Sequence, residues 1–143
     1  MDQRECAEMV IAEQQNADWN RQKARDLAQI WINKHDDLAA IFCNNDTMAL
    51  GVQEAVNASG RDILVVGVDG IGEAYDSIRR GEMDATVDSF PFYKGQIAVE
   101  LALRVLGGQD LPRVVWTPQA LIDSSNVDAE AAQIISWSDP EFK

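Results

Sequence analysis

The residues of this chain that could do chemistry are small polar side chains that follow three short apolar runs. The runs are LAAIF (38–42), ILVVGV (63–68) and ATV (85–87), and the polar residues after them are Asn44, Asn45, Asp46, Asp69, Asp88 and Ser89. Amide, carboxylate and hydroxyl groups can hydrogen-bond the hydroxyls of a polar ligand. No imidazole or thiol base stands among them, so they suit holding a ligand better than reacting with one.

These polar residues depend on a sheet to bring them together. Short runs rich in Val and Ile, alternating with helical patterns, are typical of buried strands of a parallel sheet. Open parallel sheets bind small ligands at the carboxyl ends of their strands, which is where the polar residues fall. The alternation predicts an α/β fold, a three-layer sandwich with a mostly parallel sheet.

The rest of the chain divides into further helices and strands. Asp18 and Asp46 each precede a helical pattern and are predicted to be N-caps. The predicted elements besides the three runs are a strand at 9–12, helices at 19–34, 46–59, 74–78 and 92–106, and an extended segment at 113–123.

The helix predicted at 92–106 is apolar almost all round, with only Glu100 and Arg104 charged between Ile97 and Leu106. A helix of this kind must be buried on most of its sides. A small sheet covers one face, and leaving roughly three or four large apolar side chains in water would cost on the order of 5–10 kcal/mol. We therefore expect the helix to pack on something outside the sheet, either a second copy of the chain or a part of the protein absent from this sequence.

Composition narrows the classes of partner. At 143 residues the chain suits one domain, and its net charge of −12 argues against binding to nucleic acid or to an anionic membrane surface. Cys6 and Cys43 do not make a disulfide framework, and Cys43 is predicted to be a small buried side chain. The start of the chain has no signal-peptide pattern, so we expect a soluble chain that carries no export signal.

Catalysis, metals and cofactors are not expected. No Ser or Cys has a plausible His partner, and the sole histidine, His35, is expected at a solvated helix end beside Asp36 and Asp37. The sequence contains no zinc-ligand spacing and no calcium loop. We therefore predict that the chain is not an enzyme.

Several segments together resemble one family. In order, AIFCNNDTMALGVQEAV, ILVVGVDG, AYDSIRRGEMDATVDSFP and GQIAVELALRVLGG closely resemble the carboxy-terminal half of the periplasmic sugar-binding proteins of ABC transporters, the ribose- and galactose-binding type. The resemblance runs from Met9 to Asp128. It implies one lobe of a type I periplasmic-binding-protein fold, in a protein about twice this long that holds a sugar between two lobes.

The resemblance also implies how the chain is divided. Residues 1–143 would form a single carboxy-terminal lobe, with chain crossovers at Phe90-Pro91 and near Pro118. The segment 91–117 would then belong to the amino-terminal lobe, most of which is missing. A missing lobe would account for the apolar helix at 92–106 independently of its periodicity.

Four residues match the positions that bind sugar in this family. Asn45 and Asp69 would hydrogen-bond sugar hydroxyls, and Trp19 would pack on the apolar face of the sugar ring. Ser89 stands where the family usually has Gln or Asn, which shortens one polar arm. The sugar-contacting Arg of the family lies upstream of residue 1 and has no counterpart here.

Each of these residues has a structural alternative. Asn45 or Asp46 could simply cap a helix, and we favour the cap for Asp46 and the ligand for Asn45. Asp69 could support the turn at Gly70, and Trp19 could be a hydrophobic staple over its own helix. Ser89 is expected to act more as a hinge residue than as a strong contact.

The resulting hypothesis is a truncated sugar-binding component of an ABC transporter, weak or inactive alone and self-associating through the 92–106 helix. By resemblance its ligand is a monosaccharide, its partner is the membrane permease, and its location is the periplasm. The alternative is the effector-sensing domain of a lactose-repressor-type transcription regulator, which shares the fold. Neighbouring genes for a permease and an ATPase would favour transport, and an upstream helix-turn-helix would favour regulation.

Overall fold

A computed structural model describes residues 9–130 of the chain. Four helices and four strands alternate along it. They are α1 (Arg21–Lys34), β1 (Ala40–Phe42), α2 (Asp46–Ser59), β2 (Leu64–Asp69), α3 (Gly72–Arg79), β3 (Ala85–Asp88), α4 (Pro91–Leu106) and β4 (Ala120–Asp123). The α/β class predicted from the sequence is confirmed.

The strands form one sheet in the order β1-β2-β3-β4. β1, β2 and β3 are parallel, and β4 returns antiparallel to β3, so the sheet is mixed. Because β1, β2 and β3 run the same way, their carboxyl ends lie at one edge of the sheet. The helices α2 and α3 and the turn into α4 all begin at that edge.

The two faces of the sheet differ in how far they are covered. On one face, Ile41, Val65 and Ile122 are buried in the core beneath the helices. On the other face, Phe42, Leu64 and Leu121 are each more than half exposed. Among residues 9–130, helices therefore cover one face of the sheet and leave the other open.

Close packing of α1 on α2 anchors the covered face. A Cβ atom added to Gly51 would lie 2.1 Å from the carbonyl oxygen of Arg21, so the two helices touch where no side chain fits. Arg61 closes the far end of α1, where its guanidinium donates to the carbonyl oxygens of Ile32 and His35 at 2.7 and 2.9 Å. These contacts join α1 to α2 at one end and to the segment after α2 at the other.

Helix α4 contributes nothing to this core. None of its residues is buried, and Phe92, Val99, Leu103 and Leu106 are all more than 60% exposed. The helix predicted at 92–106 is confirmed, and the described part of the chain does not cover it. What does cover it stays a prediction.

The predicted strand at 9–12 is wrong. Met9, Val10 and Ile11 are extended without sheet pairing and are between 77% and 87% exposed. Apolar residues alone do not make a strand, because the backbone also requires a hydrogen-bonded neighbour. Within the described residues, no neighbouring strand pairs with this segment.

The predicted N-cap of the first helix is also wrong. Asp18 and Trp19 both have left-handed backbones, with φ of 52° and 58°, so the helix cannot begin there. Asn20 is the N-cap, and its side chain accepts a hydrogen bond from the amide of Lys23 at 2.9 Å. At the end of α2, Gly60 is the C-cap, in the left-handed conformation with φ of 68°.

Cys43 lies in the core of the molecule. Cys43 is buried as predicted, and burial raises the pKa of its thiol to about 12, which keeps it protonated and unreactive. Cys6 lies outside the described residues.

Among residues 9–130, no helix has both the length and the hydropathy to cross a bilayer.

The contact at Gly51 gives a stability prediction. Gly51→Ala should lower the free energy of unfolding by about 1–3 kcal/mol, because the new methyl group must push α1 off α2. Urea denaturation followed by circular dichroism measures this change. Gly72→Ala is the matched control, since nothing lies within 4 Å of a Cβ at Gly72. Equal stability of the two variants would show that α1 and α2 do not touch at Gly51.

Candidate functional site

Asn45 stands at the carboxyl end of β1 and caps α2. Its side-chain oxygen accepts a hydrogen bond from the amide of Met48 at 2.9 Å, and its backbone is extended, as an N-cap requires. The prediction that Asp46 is the cap is therefore wrong. The cap uses the oxygen of Asn45, and its amide nitrogen can still donate to a ligand, so the ligand role stays a prediction.

Asp46 has a different task, which the sequence analysis missed. It lies in the first turn of α2, completely buried, and its two oxygens face neighbouring elements. Oδ2 accepts from the amides of Gly70 and Ile71 at 2.8 and 2.9 Å, and Oδ1 accepts from Thr86 Oγ1 at 2.6 Å. One carboxylate thus joins α2 to the loop after β2 and to β3.

The fold makes room for this carboxylate. A Cβ on Gly67 would lie 2.2 Å from Asp46 Oδ1, so only glycine fits at that point of β2. Burial raises the pKa of Asp46, and the hydrogen bonds from Thr86, Ile71 and Gly70 act in the opposite direction. The nearby charge of Asp69 also raises the pKa of Asp46.

Asp69 ends β2 in an unusual conformation. Its φ is 124°, a region that residues other than glycine rarely adopt, and its side chain is exposed. Such backbone strain persists only where the surroundings hold it in place. Here Asp46 accepts from the next two amides, so the backbone that follows Asp69 is held at the sheet edge while the Asp69 side chain is open to solvent.

Trp19 lies two residues before an arginine that forms ion pairs with both α2 and α3. Arg21, two residues after it, pairs with Glu54 of α2 at 2.8 Å and with Glu73 of α3 at 2.6 Å. The start of α1 is thereby tied to the start of α3, which follows Asp69 closely. Trp19 itself is 64% exposed, so most of its ring remains available for a contact other than a staple over α1.

Ser89 follows β3 at the same edge. Asp88 pairs in register with Asp69, so Ser89 lies one position beyond that pair and is half-buried. The buried residue at this strand end is Asp88, which accepts from Tyr75 Oη at 2.8 Å and from the amide of Phe90 at 2.6 Å. Burial, followed by the hydrogen bond to Asp88, raises the pKa of Tyr75.

The structure therefore brings Asn45, Asp69 and Ser89 to the carboxyl edge of one sheet. Trp19 precedes the N-cap of α1, whose first residue pairs with the start of α3. The sequence analysis did not foresee the supporting carboxylates Asp46 and Asp88. The glycines around Asp69 were the available signal, because glycine beside a strand end often marks a close approach of other atoms. Within residues 9–130, no three His, Cys, Asp or Glu side chains are placed to hold a metal ion.

Comparison with known proteins identifies a family. The model of the periplasmic binding protein domain matches residues 3–110. Among curated relatives, ribose import binding protein RbsB of Bacillus subtilis is 37% identical over 113 residues, which are 79% of this chain and 37% of the relative. The D-allose-binding periplasmic protein of Escherichia coli is 39% identical over 100 residues, 68% of this chain and 32% of the relative.

Solved structures of the same kind superpose well. A solute-binding protein of an ABC transporter from Actinobacillus succinogenes, with bound D-allose, gives a TM-score of 0.82 at 29% identity and covers 87% of this chain and 45% of that one. The Caulobacter myo-inositol binding protein, bound to myo-inositol, gives 0.76 at 31% identity over 87% of this chain and 44% of that one. The chain spans less than half the length of these relatives.

The three hydrogen bonds of Asp46 predict a large stability effect. Asp46→Ala should lower the free energy of unfolding by about 3–5 kcal/mol, because two part-buried amides and one buried hydroxyl lose their acceptor. Thr86→Val removes one of these hydrogen bonds and should cost about 1 kcal/mol. Urea denaturation measures both changes. Asp62→Ala, at an exposed position, is the control, and a loss no greater for Asp46→Ala than for this control would contradict the role given to Asp46.

Proposed function

Because the chain belongs to the periplasmic binding protein family, we propose that it is the carboxy-terminal lobe of the sugar-binding component of an ABC transporter. The observation that carries the proposal is the placement of Asn45, Asp69 and Ser89 after parallel strands that end at one sheet edge. Trp19 is exposed, two residues before the arginine that pairs with the start of α3. A sugar presents hydroxyls around a ring that is apolar on its faces. Amide, carboxylate and hydroxyl groups next to an aromatic ring match both features.

Each residue then has a role. Asp69 accepts hydrogen bonds from adjacent hydroxyls, and its strained, clamped backbone keeps the carboxylate aimed at the ligand. The amide nitrogen of Asn45 donates to a hydroxyl while its oxygen caps α2. Trp19 packs on the ring face, and Ser89 makes a short contact beside the chain crossover. The relatives that carry ribose, allose or myo-inositol in their names support a monosaccharide or a related cyclic polyol as the ligand.

The chain supplies one side of the cleft. The edge that carries Asp69 is open to water, and hydrogen bonds that compete with water contribute only about 0.5–1.5 kcal/mol each. We therefore propose that this chain alone binds sugar weakly, in the millimolar range or below detection. High affinity requires the second lobe, which encloses the ligand and excludes water.

The segment 91–117 belongs, in this proposal, to the amino-terminal lobe. Its helix α4 has no buried residue, and Phe92, Val99 and Leu103 line an open apolar groove with Gly95 and Pro91. The strand β4 then returns to the sheet at Ala120. A segment that leaves the core, exposes an apolar helix and comes back is the behaviour expected of a crossover to another lobe.

The partners follow from the same family. The names of the relatives describe import and periplasmic proteins and ABC transporter components, which supports a membrane permease as the partner and the periplasm as the site of action. No nucleic-acid role is proposed, since the net charge of −12 disfavours it.

Supplying the missing lobe tests the sugar proposal. The chain should be joined to the amino-terminal lobe of its Bacillus subtilis relative, and D-ribose, D-allose and myo-inositol titrated into the joined protein by calorimetry. One of these ligands should bind with micromolar affinity, and Asp69→Asn should weaken it at least roughly tenfold through the loss of a charged acceptor. Trp19→Ala should also weaken binding, whereas Ile30→Ala, at an apolar side chain that is 58% exposed on α1, should not.

The chain by itself gives the complementary result. Calorimetry on this chain should show no micromolar binding of any of the three ligands. Micromolar binding by the monomer would overturn the half-cleft proposal. In the joined protein, equal affinity with Asp69 and with Asn at this position would overturn the role of Asp69.

The exposed helix favours a second property, self-association. Val99 and Leu103 are 62% and 64% exposed on a helix that nothing in residues 9–130 covers. A second copy of the chain would bury this surface on both molecules, as a two-fold dimer does. This surface would otherwise be covered by the missing lobe, so the two proposals are compatible.

Light scattering after size exclusion tests self-association. The unaltered chain should elute as a dimer at micromolar concentration, and Leu103→Glu should shift it toward the monomer, because the new charge would have to be buried in the interface. Ile30→Glu, which changes a side chain of similar exposure (58%) on α1, should leave the dimer intact. A monomer at micromolar concentration for the unaltered chain would contradict the proposal.

A further inference from the structure

The carboxylate of Asp88 links two parts of the molecule that lie on different elements. Asp88 is buried at the end of β3, at the position paired with Asp69. One oxygen accepts from Tyr75 Oη of α3 at 2.8 Å, and the other accepts from the Phe90 amide at 2.6 Å. Asp88 therefore joins α3 to the segment through which the chain leaves the sheet.

Asp88 also touches the loop that carries Asp69. A Cβ added to Gly70 would lie 2.2 Å from Asp88 Cγ, and Gly70 has a φ of 80°. The carboxyl group therefore packs directly on the backbone of Gly70, with no room for any side chain between them. Movement of this loop cannot leave Asp88 undisturbed, because packed atoms transmit displacement.

On its other side, Asp88 holds a strained residue. Phe90 has a left-handed backbone, with φ of 47°, and is buried, and Pro91 begins α4 immediately after it. A bulky aromatic residue adopts this conformation only where its surroundings impose it. The hydrogen bond from its amide to Asp88 and the burial of its ring are the constraints that the structure shows. Both constraints act on the residue at which the chain passes from β3 into α4.

We propose that Asp88 and Tyr75 are positioning residues that couple the loop of Asp69 to the exit direction of α4. Displacement of Gly70 moves the Asp88 carboxylate, and the carboxylate carries the Phe90 amide with it. Tyr75 keeps the carboxylate from rotating away from that amide. That a ligand causes the displacement at Asp69 rests on the proposed sugar-binding function, whereas the mechanical link between the two segments does not.

A distance measurement between spin labels tests the link. The labels are placed at exposed positions on α2 and α4 through Ala58→Cys and Ala102→Cys, with Cys6→Ser and Cys43→Ala removing the native thiols. Ala102 lies eleven residues beyond Pro91. At about 1.5 Å per residue, a tilt of about 15° at the base of α4 would move it by about 4 Å. The labels are carried by the Leu103→Glu variant, which is expected to be monomeric, and labelled protein is diluted with unlabelled protein, so that neither a second copy at α4 nor distances between molecules contribute.

The variants separate positioning from general stability. Tyr75→Phe and Asp88→Ala should shift or broaden the distance distribution by several ångströms, and Asp88→Asn, which can still accept from the Phe90 amide, should restore most of the original distribution. Asp62→Asn is the control and should leave it unchanged. Urea denaturation of the same variants shows whether a variant that shifts the distance remains folded.

The outcomes are distinct. If Tyr75→Phe leaves the distribution unchanged, the link is refuted, and this variant, which removes only a hydroxyl, decides the question even where Asp88→Ala fails to fold. Because the measurement uses no sugar, its result is independent of the sugar titrations. In the sugar-binding joined protein, Tyr75→Phe should alter affinity only where the distance also changes, and altered affinity without a change in distance would refute the coupling.

Discussion

The buried carboxylate of Asp46 is the interaction on which the candidate site depends. It accepts three hydrogen bonds, two from the loop after β2 and one from β3, while its own backbone lies in the first turn of α2. Burying a charged group is costly unless it is hydrogen-bonded, and here both oxygens are used. The elements that carry the site residues are therefore joined to one another by a single carboxylate inside the core.

The described residues form a packed part and a part that exposes large apolar side chains. The covered face of the sheet, with α1, α2 and α3, forms a continuous core that includes Val65 and Ile122. The open face and α4 instead expose large side chains such as Phe42 and Leu103 to solvent. The polar residues of the site belong to the packed part. The exposed apolar surfaces are where the proposed second lobe or second copy would bind.

The sequence predicted the elements better than their ends. Strands and helices could be recognised because Val- and Ile-rich runs and helical spacing are local patterns. The N-cap of α2 was predicted at the wrong residue because Asn45 and Asp46 are adjacent and both are good caps. Only the tertiary contacts of Asp46 decide between them. The strand predicted at 9–12 failed because pairing depends on a neighbour that local sequence does not show.

The candidate site shows the same division between local and distant information. Asn45, Asp69 and Ser89 could be placed at a common edge because parallel strands end together. The clamp around Gly70 could not be predicted, since Asp46 and Asp88 approach it from 24 and 18 positions away in the chain. Gly67 and Gly70 recorded these contacts in the sequence, but a glycine reveals only that something lies close, not what it is.

The proposed half-cleft has a consequence for where affinity would arise. The strained backbone at Asp69 is held by hydrogen bonds within the chain, so ligand binding does not have to order that loop. Two or three hydroxyl contacts in the open would still contribute only a few kcal/mol, at about 0.5–1.5 kcal/mol each. That total is close to the roughly 4 kcal/mol of a millimolar complex. The remaining affinity of a tight sugar complex must then come from enclosure. In this proposal, the orientation of the polar groups is a property of this chain, and the exclusion of water is a property of the second lobe that would close over it.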